Sequence, residues 1–463
     1  MPETIIEKII ESPAVALDKT AEASMSFGSF LRNGKHFART RGYWNILGPG
    51  LTTGAADDDP SGIATYSQQG AQTGLQLLWL AAFTFPLMAV VQEMCARIGI
   101  VTDRGLAANI RRHYPKWVLY LCGGLLLAAN VLNLGADIGA MAKAVQLLLP
   151  DANFSALVIF FTLFILLLQI YLTYKAYAHY LKLLALVLFA YVLSALSIHT
   201  IDWHQVLVHA VLPSLTISKA QIFLITGILG TTISPYLFFW QTSQECEEKL
   251  ERNRSNIELH IKPEKTIGMA DKEIRNMRVD VWSGMFLSNI VMFFIIVACT
   301  FTLFTHGITN INTASDAALA LKPIAGNYAF LLFAVGIIGA GLLAIPVLAG
   351  SASYALSETF GWKAGLSHKL KDAYAFYGVI IIAMLVGLGI NFIGLDPIKA
   401  LIYSAVANGL IAPVILFLIV RISSNKQIMG KHKNHSLITI IGWITVGVMA
   451  VTAIATIISS FTS

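Results

Sequence analysis

An acidic triplet interrupts an apolar segment near the beginning of the chain. Asp57, Asp58 and Asp59 precede Pro60 inside the apolar stretch 44–68. A carboxylate at membrane depth costs about 2.5–3.5 kcal/mol on insertion scales, and a proline removes a helical hydrogen bond. A helix that only crosses a membrane needs neither feature. We therefore interpret the segment as a helix broken at mid-membrane, where freed carbonyl oxygens and a carboxylate face one cation site.

A competing interpretation places the triplet at the membrane edge, where it would cap a short first span. We favour the intramembrane interpretation because ionisable residues inside a membrane are functional by default. Asp59, next to the proline, is then the predicted metal ligand, whereas Asp57 and Asp58 are expected to face a vestibule or to pair with Lys or Arg. Ser61 and Gly62 follow in the same break and are further candidates for lining the cavity.

A second proline break lies inside a later apolar segment. Thr231, Thr232 and Ser234 precede Pro235, and Tyr236 follows it. A lone proline would be an ordinary kink. Interrupted helices at matching positions of two halves, however, point to an inverted-repeat transporter with a binding site at the membrane midplane. The two breaks together therefore predict a single cation site to which both contribute.

Membrane-spanning helices must position these breaks, and the composition predicts them. Hydrophobic residues make up 56% of the 463 residues and charged residues only 13%, whereas soluble domains carry roughly 25% charged residues. A water-soluble enzyme is therefore excluded. Apolar blocks long enough to cross a hydrocarbon core of roughly 30 Å recur along the chain. The eleven predicted spans are 44–68, 73–100, 117–148, 153–174, 176–200, 219–245, 279–305, 326–356, 374–394, 396–420 and 436–460.

The basic residues predict how these spans are oriented. Every one of the 32 Lys and Arg residues falls on one side, except Lys143, Lys219, Lys322 and Lys399. By the positive-inside rule, this asymmetry places the amino terminus in the cytoplasm and the carboxy terminus outside a cell membrane. We interpret the basic loops as topology signals that contact anionic lipid headgroups, not as a nucleic-acid site. The oligomeric state stays open.

The span count also predicts the domain organisation. A polar tail over 1–43, without a signal-peptide pattern, precedes the first span. Five spans then form a first repeat over 44–200, and five more form a second repeat over 219–421. An additional helix over 436–461 completes the chain.

The two proline motifs and the eleven-span plan resemble the Nramp family of divalent-metal transporters. The motifs stand here as Asp59-Pro60-Ser61-Gly62 and Ser234-Pro235-Tyr236. The resemblance implies an all-α integral membrane protein of the LeuT-type fold. In that fold an inverted repeat of 5+5 transmembrane helices is followed here by an eleventh helix, and helices 1 and 6 are broken at mid-membrane.

The resemblance also implies a set of metal ligands and marks where this chain departs from it. The family's ligand aspartate corresponds to Asp59, and its ligand carbonyl near the sixth-helix break corresponds to Thr231. The family's common Asp-Pro-Gly-Asn and Met-Pro-His motifs have an Asn, a Met and a His at positions that are Gly62, Ser234 and Tyr236 here. Ser234 therefore enters the predicted site in place of a thioether.

These departures predict the transported ion. A thioether is a soft ligand that favours Mn, Fe, Co or Cd, whereas hydroxyl and carbonyl oxygens suit Mg and Ca. A roomy, oxygen-only site with one carboxylate fits Mg²⁺, which gives up its waters reluctantly. We therefore expect a transporter that imports divalent cations by alternating access, most of all Mg²⁺, with Mn²⁺ as a competitor. The pattern is closer to the divergent, magnesium-transporting relatives of the family than to its proton-coupled iron and manganese members.

The same departures from the family motifs make proton coupling doubtful. Family members that carry protons use a titratable His in the sixth helix and acids in the third. Tyr236, with an ordinary pKa near 10, is a poor proton carrier at neutral pH. In the third span Asp137 is a remnant relay, a cavity-lining group or a partner for Lys143, and we favour the last two roles.

Two amide side chains, those of Gln241 and Asn408, lie inside predicted spans. We expect them to form interhelical hydrogen bonds sooner than to bind metal.

The sequence leaves alternative functions to consider. One alternative is a proton-coupled Mn²⁺/Fe²⁺ symporter of the common Nramp type. Another is a LeuT-fold carrier of an organic solute, although an acidic triplet would repel a substrate carboxylate. No intramembrane protease motif is present, so we expect neither an enzyme nor a resident cofactor.

Overall fold

The computed structural model describes residues 48–171, 189–216, 218–258, 267–311 and 313–461, and side chains within these ranges except at 252–258, 267–270 and 327. The compact unit begins at Pro49. The predicted tail 1–43 and part of the fifth predicted span lie outside the described residues.

Within these ranges the regular secondary structure is entirely helical. Short 3₁₀ segments join several of the α-helices. The α-helices are α1 (Pro49–Asp57), α2 (Pro60–Thr73), α3 (Trp79–Thr102), α4 (Leu106–His113), α5 (Lys116–Leu148), α6 (Phe154–Tyr171), α7 (Phe189–Ser197), α8 (Trp203–Val211), α9 (Lys219–Thr232), α10 (Pro235–Glu258), α11 (Ile267–Thr302), α12 (Ala314–Ala318), α13 (Lys322–Ala325), α14 (Ala329–Phe360), α15 (Tyr374–Ile390), α16 (Pro397–Ser424), α17 (Lys426–Met429) and α18 (Ser436–Phe461).

The prediction of a multi-pass membrane protein is confirmed. In the described part of the chain, 8 helical segments are long and apolar enough to cross a membrane, with α9 and α10 together forming one of them. The α9–α10 segment is the most buried of these, whereas α18 exposes most of its surface. The broken helices therefore lie at the centre of the bundle, and the last helix lies at its edge.

Both predicted helix breaks are present. The first leaves Asp58 and Asp59 between α1 and α2, and the second leaves Ile233 and Ser234 between α9 and α10. In each case a proline opens the second half-helix, at Pro60 and at Pro235. Proline fits there because the first residues of a helix have no intrahelical acceptor for an N–H group.

Small residues and a buried carboxylate hold the first half-helix in place. A side chain at Gly54 would collide with the backbone of Gly284 on α11. Asp280, also on α11, accepts hydrogen bonds from the amides of Gly50 at 2.7 Å and Leu51 at 3.0 Å. A carboxylate at these free amides also complements the positive end of the helix dipole. Helix α1 is thereby packed closely against α11.

Candidate metal centre

Asp59 caps the second half of the first broken helix from a buried position. Its Oδ1 accepts hydrogen bonds from the Gly62 amide and from the Ser61 hydroxyl, both at 2.7 Å. Its Oδ2 accepts a hydrogen bond from Nδ2 of Asn133 at 2.9 Å. The side chain is 1% exposed. The carboxylate predicted as the metal ligand is therefore held by neutral donors alone.

A polar chain extends from this carboxylate into two other helices. Asn133 lies on α5, and its Oδ1 accepts a hydrogen bond from the hydroxyl of Ser404 on α16 at 2.8 Å. Neither residue is among the predicted site residues. The sequence shows each of them only as a polar residue inside an apolar span, a feature that many interhelical contacts share. These hydrogen bonds from α5 and α16 fix the orientation of the Asp59 carboxylate.

The second break supplies neutral oxygens beside the first. The hydroxyl of Ser234 donates to the carbonyl oxygens of Gly230 at 2.7 Å and Thr231 at 2.6 Å. The Thr231 Oγ1 lies 3.5 Å from the hydroxyl oxygen of Ser61. A Cβ at Gly62 would lie 3.2 Å from the Thr231 Oγ1 and 3.4 Å from Oδ1 of Asp59. The structure therefore brings these predicted site residues together at Gly62.

Hydrogen bonds of two tyrosines connect the two helix breaks. Tyr236, just after the second break, donates its hydroxyl to the carbonyl oxygen of Ala56 at 2.9 Å. The hydroxyl of Tyr66 on α2 lies 3.2 Å from Oγ1 of Thr232. Thr232 also donates to Ile228 in its own helix. Tyr236 and Thr232 are therefore occupied in joining the two broken helices.

Asp57 and Asp58 both contact a serine of a neighbouring helix. The hydroxyl of Ser288 on α11 donates to Asp57 at 2.7 Å and lies 3.2 Å from Asp58. Both carboxylates are buried. Among the described residues, neither forms an ion pair with Lys or Arg. The observed partner of both is a hydroxyl from a neighbouring helix, and their roles at a vestibule or beside a cation stay predictions.

Asp137 is buried without a hydrogen-bond partner on either carboxylate oxygen in the described part of the chain. The predicted contact with Lys143 is absent, because the Lys143 ammonium instead lies 5.1 Å from the centre of the Phe154 ring. Of the two roles we favoured for Asp137, the cation pairing is wrong and cavity lining stays a prediction.

The two amides behave differently from each other. Gln241 accepts a short hydrogen bond from Thr53 on α1 and donates to Glu245 at 2.9 Å. Its predicted interhelical hydrogen bond is confirmed. Asn408 is fully buried on α16, and neither of its amide atoms has a partner among the described residues. Asn408 lies one helical turn beyond Ser404 on the same face of α16.

The donor set around the breaks limits the chemistry that they can perform. In the described ranges, no group of three or more His, Cys, Asp or Glu side chains is placed to hold a metal ion. The groups of the predicted site are the Asp59 carboxylate, the Thr231 carbonyl, and the hydroxyls of Ser61 and Ser234. All of these are oxygen atoms, which suit hard divalent cations.

Comparison with known proteins gives a family and a fold for this arrangement. The model of the Nramp family, described as natural resistance-associated macrophage protein-like, matches residues 50–459. The divalent metal cation transporters MntH of Klebsiella pneumoniae (strain 342) and of Aeromonas hydrophila subsp. hydrophila are each 25% identical to the chain. These matches cover 87% of this chain, and 91% and 93% of the respective relatives.

Solved structures with the same fold include two kinds of transporter. A manganese transporter from Eremococcus coleocola superposes with a TM-score of 0.69 at 19% identity, over 92% of this chain and 88% of that one. Mhp1, a nucleobase-cation-symport-1 family transporter, superposes with a TM-score of 0.55 at 14% identity, over 89% and 91% of the two chains. These similarities confirm the LeuT-type arrangement of the helices.

Proposed function

The chain belongs to the Nramp family, and from that premise we propose that it carries divalent metal cations across the membrane by alternating access. The two broken helices would form the binding site, and the two repeats would open it to each side in turn. The proposed ligands are the Asp59 carboxylate, the Thr231 carbonyl and the Ser234 hydroxyl. We further propose import into the cytoplasm, which the inside-negative membrane potential favours.

One observation carries this proposal. Asp57, Asp58, Asp59 and Asp137 are all buried, and within the described residues none of them forms an ion pair with Lys, Arg or His. Burying a charge without a counter-charge costs several kcal/mol. A mobile dication at the breaks would supply the missing positive charge, whereas a substrate carboxylate would add to the repulsion.

The chemistry of the donors supports Mg²⁺ as the main substrate. The position of the family's methionine is Ser234, and the position of its asparagine is Gly62. Each proposed ligand is therefore an oxygen atom, and no sulfur ligand at position 234 selects softer ions. Three neutral hydrogen bonds already occupy part of the Asp59 carboxylate. Asp59 thus fits an ion that keeps several of its waters, as Mg²⁺ does.

We propose that transport proceeds without a coupled proton. The hydroxyl of Tyr236, at the family's histidine position, is held by the Ala56 carbonyl oxygen. The membrane potential alone gives a dication about 4.6 kcal/mol per 100 mV, twice the value for a single charge. Asp137 is the residue on which a proton-coupled alternative would depend.

Mn²⁺ is the second candidate substrate, and the relatives favour it. The similar structure from Eremococcus coleocola is that of a manganese transporter. Asp59 and the Thr231 carbonyl would serve Mn²⁺ as well as Mg²⁺, since carboxylate, carbonyl and water suit both ions. The preference for one of these ions over the other then depends on Ser234 and Gly62.

The proposal is tested by a flux panel of Mg²⁺, Ca²⁺ and Mn²⁺ into proteoliposomes that contain a pH dye. We expect Mg²⁺ influx driven by an inside-negative potential, with a flat internal pH and no flux in Asp59→Ala. Mn²⁺ flux with metal-dependent acidification would return the protein to the proton-coupled type. Unchanged metal uptake in Asp59→Ala would overturn the site. Uptake of an organic solute without any metal flux would favour the LeuT-fold carrier of organic molecules.

A further inference from the structure

The hydrogen bonding of Asp137 differs from that of the three buried acids at the first break. Asp57, Asp58 and Asp59 each accept a hydrogen bond from a hydroxyl group. Asp137 is 0% exposed, and neither of its carboxylate oxygens has a hydrogen-bond partner within the described residues. Burying a polar group without a hydrogen bond costs free energy. This carboxylate therefore has an unused capacity for a ligand that donates hydrogen bonds or carries positive charge.

Asp137 lies on the face of helix α5 that contacts the first break. Residues four positions apart share one face of a helix. One turn before Asp137, the Asn133 amide donates a hydrogen bond to the Asp59 carboxylate at 2.9 Å. The face of α5 that bears Asp137 is therefore the face that meets the predicted metal ligand.

Met141, one turn after Asp137, also reaches the break. A Cβ built at Gly341 on α14 would lie 2.5 Å from the Met141 Sδ and 3.6 Å from Cγ of Pro60, so the thioether and the proline border the same space. Side chains of a helix lean toward its amino terminus, so the fully buried Met141 side chain leans over Asp137. Asp137 thus lies at the break, between Asn133 and Met141.

Two contacts show where Asp137 lies relative to Asn133. The Ser404 hydroxyl on α16 donates to Asn133 at 2.8 Å, whereas a Cβ at Gly139 would lie 3.0 Å from the Cβ of Pro397. Helices α5 and α16 therefore run antiparallel. Asp137 is displaced from Asn133 toward the start of α16, by about 6 Å at 1.5 Å per residue. The asymmetry of the basic residues predicts that the start of α16 lies on the external side.

We propose that Asp137 forms an outer subsite for the transported divalent cation, on the predicted external side of Asp59. Its carboxylate accepts hydrogen bonds from water molecules of the hydrated ion, which then passes to Asp59. A metal–water distance of about 2.1 Å and a hydrogen bond of about 2.7 Å let such a carboxylate hold an ion about 4–5 Å away. The inference rests on the proposed function, because it extends the recognition of the same cation.

The charges near Asp137 favour a cation at this position. Among the described residues, Asp137 forms no ion pair, and the Lys143 ammonium lies 5.1 Å from the centre of the Phe154 ring. A lysine paired with Asp137 would instead repel an incoming cation. Asp137 and Asp59 therefore present two carboxylates in succession to an ion that enters from the predicted external side.

The substitution Asp137→Asn removes the charge with little change of shape. In proteoliposomes we expect the KM for Mg²⁺ to rise about tenfold, because the charge that attracts the hydrated ion is lost. The maximal rate should stay within about twofold of the wild type, since Asp59 still binds the ion. A residue that only packs against its neighbours would not change KM alone. Without metal, the variant should be at least as stable as the wild type, because an unpaired buried charge is costly.

Direct metal binding separates the subsite from transport. Electron paramagnetic resonance of added Mn²⁺ measures the affinity of the purified protein without any flux. We expect Asp59→Asn to retain a weak Mn²⁺ site that the double variant Asp59→Asn/Asp137→Asn loses. Such a loss in a protein whose wild type transports no metal would refute the proposed function but support the subsite. Equal Mn²⁺ binding in the single and double variants would overturn the subsite and leave the role of Asp59 untouched.

The substitution Asp151→Asn is the matched control. Asp151 follows the end of α5 on the same predicted side as Asp137, and its side chain is exposed. Removing this carboxylate should leave the KM for Mg²⁺ and the Mn²⁺ affinity unchanged. An equal rise of KM in Asp151→Asn and Asp137→Asn would indicate a general surface-charge effect and overturn the subsite. A lower maximal rate of Asp137→Asn at unchanged KM and Mn²⁺ affinity would also overturn it, because Asp137 would then act in the conformational cycle and not in cation binding.

Discussion

Two buried carboxylates of this protein, Asp59 and Glu93, are equally shielded from solvent but differently neutralised. Each is 1% exposed. Glu93 on α3 accepts hydrogen bonds from Nε and Nη2 of Arg278, at 3.0 and 2.9 Å, and from the Trp282 indole at 2.8 Å. Arg97 lies 3.4 Å from the same carboxylate. Among the described residues, Asp59 receives its hydrogen bonds from Ser61, Gly62 and Asn133 only.

Glu93 has a structural role, whereas the role we propose for Asp59 is functional. The protein compensates Glu93 with two of its own cations, so that carboxylate joins α3 to α11. Around Asp59 the described residues provide neutral donors, and under the proposed function a mobile ion would supply the counter-charge. A buried charge is an expensive feature unless it is paired. Within the described ranges, the lack of a cationic partner therefore distinguishes Asp59 from Glu93 more clearly than burial does.

Replacing Asp59 by Asn gives the largest expected effect. The substitution keeps the shape of the side chain and a capping oxygen for the Gly62 amide but removes the charge. We expect Mg²⁺ flux in proteoliposomes to fall at least about 100-fold, because a charge-assisted contact is lost at the ion. The unfolding temperature should fall less than in Glu93→Gln, because no cation of the protein loses its partner and only the Asn133 amide loses its acceptor. A large loss of stability with normal flux in the remaining folded protein would make Asp59 a structural residue like Glu93.

The substitution Glu93→Gln should have the opposite signature. Arg97 is buried and would keep a positive charge without its carboxylate. Breaking one side of a buried ion pair costs about 3–5 kcal/mol. We expect this loss in denaturant unfolding of the purified protein, with flux per folded molecule close to that of the wild type. Loss of flux at unchanged stability would remove the distinction between the two carboxylates.

The substitution Ser234→Met tests whether the second break selects the ion. A thioether at this position should strengthen the binding of Mn²⁺ and Cd²⁺ relative to that of Mg²⁺, because soft ligands prefer those ions. We expect about a tenfold shift in competition of Mn²⁺ or Cd²⁺ against Mg²⁺ uptake, the equivalent of about 1.4 kcal/mol. An unchanged competition series would mean that position 234 does not face the ion.

The substitution Gly62→Ala tests the space between the two breaks. The added Cβ would lie 3.2 Å from both the Asp57 carbonyl oxygen and the Thr231 Oγ1. We expect Mg²⁺ flux to fall by a few-fold, because overpacking typically costs about 1–3 kcal/mol. In the control Gly378→Ala, the new Cβ has no neighbour within 4 Å, and flux should be unchanged. Equal flux in both variants would show that this gap does not bear on transport.

The smallest effect is expected at an exposed ion pair. Lys431 lies 3.3 Å from Asp271, and the two side chains are 54% and 59% exposed. Exposed pairs contribute about 0–1 kcal/mol. Lys431→Gln should therefore change the free energy of unfolding by less than about 1 kcal/mol in the assay used for Glu93→Gln. A loss as large as that of Glu93→Gln would show that solvent exposure does not separate the two kinds of pair.

The local features of the candidate site were predictable from the sequence. Asp59 and Pro60 adjoin each other, and the consequences of an acid and a proline in an apolar helix do not depend on the rest of the fold. The same is true of Pro235 and the helix break that it opens. The partners of Asp59 were not predictable in this way. Asn133 is 74 residues away, and Ser404 lies 271 residues beyond Asn133.

The contacts that the sequence did not predict have the same origin. Asp57 and Asp58 contact Ser288, which lies 231 and 230 residues further along the chain. Lys143 packs over Phe154 and leaves Asp137 without the predicted partner. Sequence spacing gives the possible partners within one helix, whereas the neighbouring helix decides which partner is present.

By itself, the sequence determined that this chain spans a membrane many times and that two of its helices are interrupted by proline. Hydropathy, helix length and the missing proline N–H are properties of contiguous residues, so no tertiary contact is needed to read them. Only the tertiary structure decided which buried acid receives a cationic partner. Glu93 meets Arg278 and Asp59 meets Asn133 through contacts between distant helices. Packing between helices therefore decides which of the two carboxylates is neutralised by the protein's own cations.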